Sequence, residues 1–156
     1  MKTVSFPIEK IYPAMTAVLD SGGEFKMIAT GTSMMPLLRN GEDTIVLIKH
    51  PSKLKKYDVP LYRRSDGSFV LHRIVGINKD GYILCGDHQY VKEYGVKHSD
   101  VVAILKGFYK DGKYTDCDDF LYKCYSRYWT NSRPLRIFIR RVKSKLRRII
   151  KGIFKK

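Results

Sequence analysis

Ser33 stands in "TGTSMMPLLRNGEDTIVLI", residues 30–48, between a glycine and two methionines, with a proline and then an apolar run after them. A serine hydroxyl is a weak nucleophile unless a neighbouring group takes its proton, so acyl chemistry at Ser33 requires a base elsewhere in the chain. The best-placed base is His72, roughly forty residues on, in "SFVLHRIVGI". Imidazole is largely neutral near pH 7 and can accept a proton. The plain alternatives are a turn serine and a polar histidine on a half-buried strand. His50, His88 and His98 lie in loop-like sequence and invite no chemistry.

Turn arithmetic offers a third group. If Asp80-Gly81 forms a two-residue hairpin turn, Lys79 faces Tyr82, Ile77 faces Leu84, Ile74 faces Asp87 and His72 faces Gln89. Opposed residues share a face, as do residues two apart on one strand. Asp87 would then be the diagonal neighbour of His72 and could orient its ring. It could equally cap a turn. Nothing in the spacing of the three cysteines suggests a metal site, and no cofactor is expected; Cys85, Cys117 and Cys124 read as reduced thiols.

The elements that must hold these residues are mainly β. Ile8, Ile11, Met15, Val18 and Leu19 recur at helical spacing over 7–20, and "SGG" closes the segment. From 25 to 109 the chain alternates β-type runs: "FKMIAT", "DTIVLIK", "VPLYRR", "SFVLHRIVGI", "GYILC" and "VVAILKGFY". Asp-Gly pairs at 66–67, 80–81 and 111–112 stand where tight hairpin turns belong. An antiparallel meander is expected. After 114 the period becomes helical again, through Phe120, Leu121, Cys124, Tyr125 and Tyr128, and "TNSRP" ends that stretch.

"GTSMMPLL", "YDVPLYRR", "VLHRIVGI", "GYILCGDHQ" and "SDVVAIL", in this order over about 28–107, resemble the successive boxes of type I signal peptidases. The same superfamily includes the peptidase domain of self-cleaving SOS repressors. The resemblance implies an antiparallel β fold of that type, with Ser33 as nucleophile. The bacterial enzymes and the repressors use a lysine base; endoplasmic-reticulum and sporulation-type enzymes carry a histidine in "HRI", which His72 matches. That branch also has a carboxylate in its "GDN" box and a second aspartate six residues later. Here these positions are Asp87 and Glu93, and the choice of supporting carboxylate stays open between them. The residue two before the nucleophile is Gly31, where many signal peptidases have a serine, so the Ser33 backbone N–H is the expected oxyanion donor. Met34 and Pro36 read as packing and turn residues.

Charge divides the chain. The net charge is +15, yet eleven Lys/Arg and no acid lie from Arg133 to Lys156, leaving 19 basic against 15 acidic residues before them, about +4. A peptidase-like domain over 1–114 and a basic helical extension over 115–156 are expected. The extension aligns Leu135, Phe138, Ile139, Val142, Leu146, Ile149, Ile150 and Ile153 on one stripe, broken by charge too often for a membrane span. It suits an anionic membrane surface; with little aromatic interleaving, nucleic acid is a poor fit. The N-terminal stretch lacks a signal-peptide core, so a cytoplasmic location is expected, with the tail able to lie on the inner face of the membrane.

Two functions of different class follow. One is a serine endopeptidase that cuts a signal or leader peptide through an acyl-enzyme on Ser33. The other is a non-catalytic membrane- or partner-binding module on the same fold. A self-cleaving regulator ranks last, because only about 25 residues precede the boxes.

Overall fold

The computed structural model describes residues 8–153, with the side chains of Ile8 and of 10–147. Helix α1 (Ile8–Asp20) buries Met15 and Leu19, four residues apart and so on one face. It closes as expected at "SGG": Gly23 N–H donates to Val18 C=O and Gly22 N–H to Leu19 C=O, the paired bonds of a Schellman end.

Among the described residues nine antiparallel strands follow, in two sheets. β1 (Phe25–Ile28), β2 (Thr44–Ile48), β8 (Val101–Lys110), β3 (Pro60–Arg63) and β4 (Phe69–Leu71) lie in that order, with β9 (Lys113–Asp116) also paired to β8. The second sheet is β5 (Arg73–Asn78), β6 (Gly81–Cys85) and β7 (Glu93–Val96). The protein is mainly β. Two strands escaped the sequence reading: β7, "EYGV", and β9, "KYTD", are short, polar or glycine-bearing, and lack an apolar alternation.

"SFVLHRIVGI" is two strands, not one. β4 belongs to the larger sheet and β5 to the smaller, and His72 alone separates them. Residues 72 to 74 are all buried, so the apolar run hides the crossing between sheets.

The three Asp-Gly pairs behave differently. Asp111-Gly112 forms the expected two-residue turn: Lys110 pairs with Lys113, and both turn residues have positive φ, as a primed hairpin turn requires. Asp66-Gly67 lies in the longer β3–β4 turn, where the Asp66 carboxylate accepts from Ser68 N–H and Oγ. The third pair is a correction. Asn78 pairs with Gly81, so the β5–β6 turn is Lys79-Asp80, and Gly81 is already in the strand. A Cβ at Gly81 would lie 2.5 Å from Val96 O: the glycine is needed for the close approach of β7.

Two cores result. The larger gathers α1, Met34, Leu37 and Leu38 of the β1–β2 connection, Ile45, Leu47, Leu61, Leu105 and Phe108. The smaller holds Leu54, Tyr62, Ile74, Leu84 and Val101 between the sheets. Adjacent residues Leu61 and Tyr62 thus point into different cores, which aims Tyr62 at the sheet crossing. Full burial of a leucine such as Leu47 contributes about 1.5–3 kcal/mol.

Helix α2 (Phe120–Asn131) inserts Tyr122 into the larger core, and α3 (Arg133–Ile153) continues from it after Ser132. Among the described residues no helix is long and apolar enough to cross a membrane. The three cysteines are free thiols. The side chains of Ile149, Ile150 and Ile153 lie outside those described.

Candidate functional site

Ser33 does not sit at a strand tip. It occupies a run of turns between β1 and β2. That run is anchored from inside by Met34, Leu37 and Leu38, all buried. Its far end is tied by the fully buried Asp43, which accepts from Arg39 N–H at 2.8 Å and from the Arg39 guanidinium. Burial alone would raise the Asp43 carboxyl; the Arg39 bonds overcome it and hold the group below its ordinary range. Gly31 adopts φ of 84° and donates its N–H to Asn40 Oδ1 at 2.7 Å. A serine there would be strained, which accounts for the glycine two residues before Ser33.

Gly86 closes on Ser33 from the other side. A Cβ at Gly86 would lie 2.5 Å from Ser33 O and 3.1 Å from Ser33 Cβ, so only glycine fits without displacing the loop. His88 N–H donates to Ser33 C=O at 2.8 Å. Two sequence boxes more than fifty residues apart therefore meet at this serine. Among the described residues the Ser33 N–H has no backbone acceptor, which leaves it free to receive an oxyanion.

His72 is 1 % exposed. Its Nδ1 lies 3.1 Å from Glu93 Oε1 and 3.2 Å from the Tyr62 hydroxyl. A carboxylate only accepts, so the tautomer that suits Glu93 carries the ring proton on Nδ1 and keeps the lone pair on Nε2. Burial is the dominant influence on the ring and lowers its pKa below the ordinary value; Glu93 pulls upward and does not overcome it. His72 is therefore neutral at pH 7. Glu93 is in turn gripped by Arg64, with Nε at 2.8 Å from Oε2, and this pairing holds its carboxyl below the usual range.

Asp87 is elsewhere. Its oxygens lie 2.9 and 2.8 Å from Arg73 Nε and Nη2, with both side chains fully buried. The expected His72–Asp87 contact is not formed, and the cause is register. Moving the turn by one residue shifts the pairing by two and preserves the face. A bulge at Val75, between the pairs Ile74–Leu84 and Gly76–Ile83, then shifts it by one more and turns Asp87 to the face of Arg73. Of the two carboxylates left open, Glu93 stands beside His72 and Asp87 beside Arg73. Asp87 anchors α2 instead: Trp129 Nε1 donates to its carbonyl at 2.9 Å, while Arg73 Nη1 also reaches the Tyr122 hydroxyl at 3.1 Å.

Ser33 and His72 line one cleft of about 800 Å³, within the usual range for ligand sites. Gln89 and Arg64 add polar groups, and Ile11, Met27, Ile28, Leu61, Val70 and Leu71 supply apolar wall. Met27 and Ile28 belong to β1, and Val70 and Leu71 to β4, the two outer strands of the larger sheet's main path. Among the described residues nothing bonds His72 Nε2 or Ser33 Oγ. No family model, curated protein or solved structure matches the chain.

Chemically, the cleft offers a hydroxyl, a neutral imidazole fixed through Nδ1 by a charged carboxylate, and an unpaired backbone N–H. Among the described residues no group of carboxylates, histidines and cysteines could hold a metal ion. Tyr62, Arg64 and Arg73 were not singled out from the sequence. Arg73 had a readable signal: an arginine inside a buried run needs a carboxylate partner. Tyr62 and Arg64 had none, because their role depends on where β7 lies.

Proposed function

We propose that the protein is a serine endopeptidase of the signal-peptidase type, with Ser33 as nucleophile and His72 as general base. The observation that carries this reading is the shared cleft: a hydroxyl and a buried, neutral, carboxylate-oriented imidazole line one cavity. In the proposed reaction Ser33 Oγ attacks the scissile carbonyl carbon and its proton passes to His72 Nε2. The oxyanion takes a hydrogen bond from the Ser33 N–H. Collapse breaks the C–N bond, and His72 returns the proton to the leaving amine. Water then attacks the ester and gives its proton to His72, which passes it to the departing Ser33 Oγ as the C–O bond breaks, releasing the acid and restoring the hydroxyl. Glu93 stabilises the imidazolium formed in each half.

The cleft's walls point to the substrate class. Outer strands carry unpaired N–H and C=O groups on their open sides, with which an extended peptide can pair, and the apolar lining suits aliphatic side chains. A leader or signal segment has both properties. The test is cleavage of a mixed peptide library, read by mass spectrometry. Ser33→Ala should abolish every wild-type cut while keeping its melting temperature; cuts that persist in this variant would refute the assignment. A folded wild-type chain with no cuts would favour the competing reading, a binding module without catalysis.

A further inference from the structure

Helix α3 has one face joined to the protein and one face that, among the described residues, packs against nothing. On the joined face, Arg133 is 4 % exposed and its Nη2 donates to Gly86 O at 3.0 Å. The Arg136 guanidinium stacks on Trp129, 3.8 Å from the ring centroid, and Arg140 stands 4.6 Å from that of Tyr90. Ile137 is half-buried. At about 100° per residue, Arg133, Ile137 and Arg140 fall on one side of the helix. Leu135, Phe138, Ile139, Val142 and Leu146 fall on the other, and each is between 41 % and 64 % exposed. The apolar stripe points away from the body, so among the described residues it is not a packing face for its own domain.

The flanks say what can cover it. Arg141 and Lys145 border the stripe on one side, Lys143 and Arg147 on the other, and all four are exposed. From Phe120 to the C-terminus there is no acidic residue. A second copy of the helix would set these cations against one another. A nucleic acid would meet the cations and leave the apolar side chains in water. An anionic bilayer satisfies both sets together: the apolar side chains enter the acyl boundary while the flanking cations lie among the headgroups. The helix is about 30 Å long, enough for several turns of contact in the membrane plane.

We infer that α3 docks in the plane of an anionic lipid surface, through the stripe from Leu135 to Leu146. Because Arg133 ties the helix to Gly86, whose Cα side closes on Ser33, docking also sets the distance between the cleft and the surface. The inference is independent of the peptidase reading.

The test is co-sedimentation of the full chain with vesicles of phosphatidylcholine alone, or of phosphatidylcholine mixed with phosphatidylglycerol. Binding is expected to the mixed vesicles, to weaken with salt, and to be far weaker on phosphatidylcholine. The double variant Phe138→Ser, Val142→Ser changes no charge and alters two exposed positions, so its melting temperature should hold. Its partition onto mixed vesicles should fall at least about tenfold. Ser33→Ala should bind like the wild type, which separates this inference from the peptidase reading. No binding to mixed vesicles would overturn it. So would undiminished binding by the folded double variant, or a preference for a single-stranded oligonucleotide over mixed vesicles, since either means that charge alone holds the helix.

Discussion

Glu93 and Asp87 are the two carboxylates that the sequence leaves open as partners of His72, and their surroundings assign them opposite duties. Glu93 touches His72 Nδ1 and answers to Arg64; Asp87 is sealed against Arg73 with no exposed side-chain surface. On the peptidase reading, Glu93→Gln should lower the acylation rate on the order of a hundredfold. It should also move the acid limb of the pH–rate profile downward, because the glutamate charge is what partly offsets burial at His72. An unchanged limb would show that Glu93 does not govern the ring. Asp87→Asn should act on stability instead, costing about 3–5 kcal/mol in denaturant unfolding, because it leaves the Arg73 charge buried and under-paired. Ser33, His72 and both carboxylates were visible in the sequence as residue types at telling positions. Which carboxylate meets the histidine was not, because it turns on a one-residue bulge at Val75 that no residue type announces.

Elements explain how distant residues meet. The β4–β5 break carries His72 from one sheet to the other, and the Gly86–His88 segment after β6 closes on the Ser33 loop. That closure is steric as much as hydrogen-bonded. Gly86→Ala should destabilise the fold by about 1–3 kcal/mol, read by urea unfolding, since the added methyl must displace the Ser33 backbone. A neutral effect would mean that the loop yields freely. Strands with alternating or fully apolar sequence were legible, as were the helices and the 111–112 turn. The crossing at His72 was not legible, because burial on both sides makes "SFVLHRIVGI" read as one strand. The Asp80-Gly81 turn misled because the glycine is required by the neighbouring strand, not by the turn.

For the whole molecule, burial of titratable groups sets the response to acid. His72 has its pKa lowered by burial and Glu93 has its own lowered by Arg64. In both cases the unfolded chain binds protons that the folded chain refuses. The histidine contribution is complete above its unfolded value near 6.5 and is lost as the pH falls toward the lower folded value. The glutamate contribution is lost in turn below 4.5. Chemical denaturation from pH 8 to pH 4 should show stability falling on acidification, and His72→Gln should flatten the upper part of that fall. An equal slope in the variant would place the acid sensitivity elsewhere. The separation of a near-neutral body from a cationic C-terminal helix was plain from charge counting alone, since it needs no register.

The central claim is that Ser33 and His72 work as a nucleophile and its base. The most direct measurement is the rate of fluorophosphonate labelling, with the adduct mapped by mass spectrometry, in wild type and in folded His72→Gln. A single adduct on Ser33 is expected, forming more slowly as the pH drops below the ordinary histidine range, and nearly absent in the variant. No adduct on folded wild type, or an equal rate in both proteins, would contradict the claim.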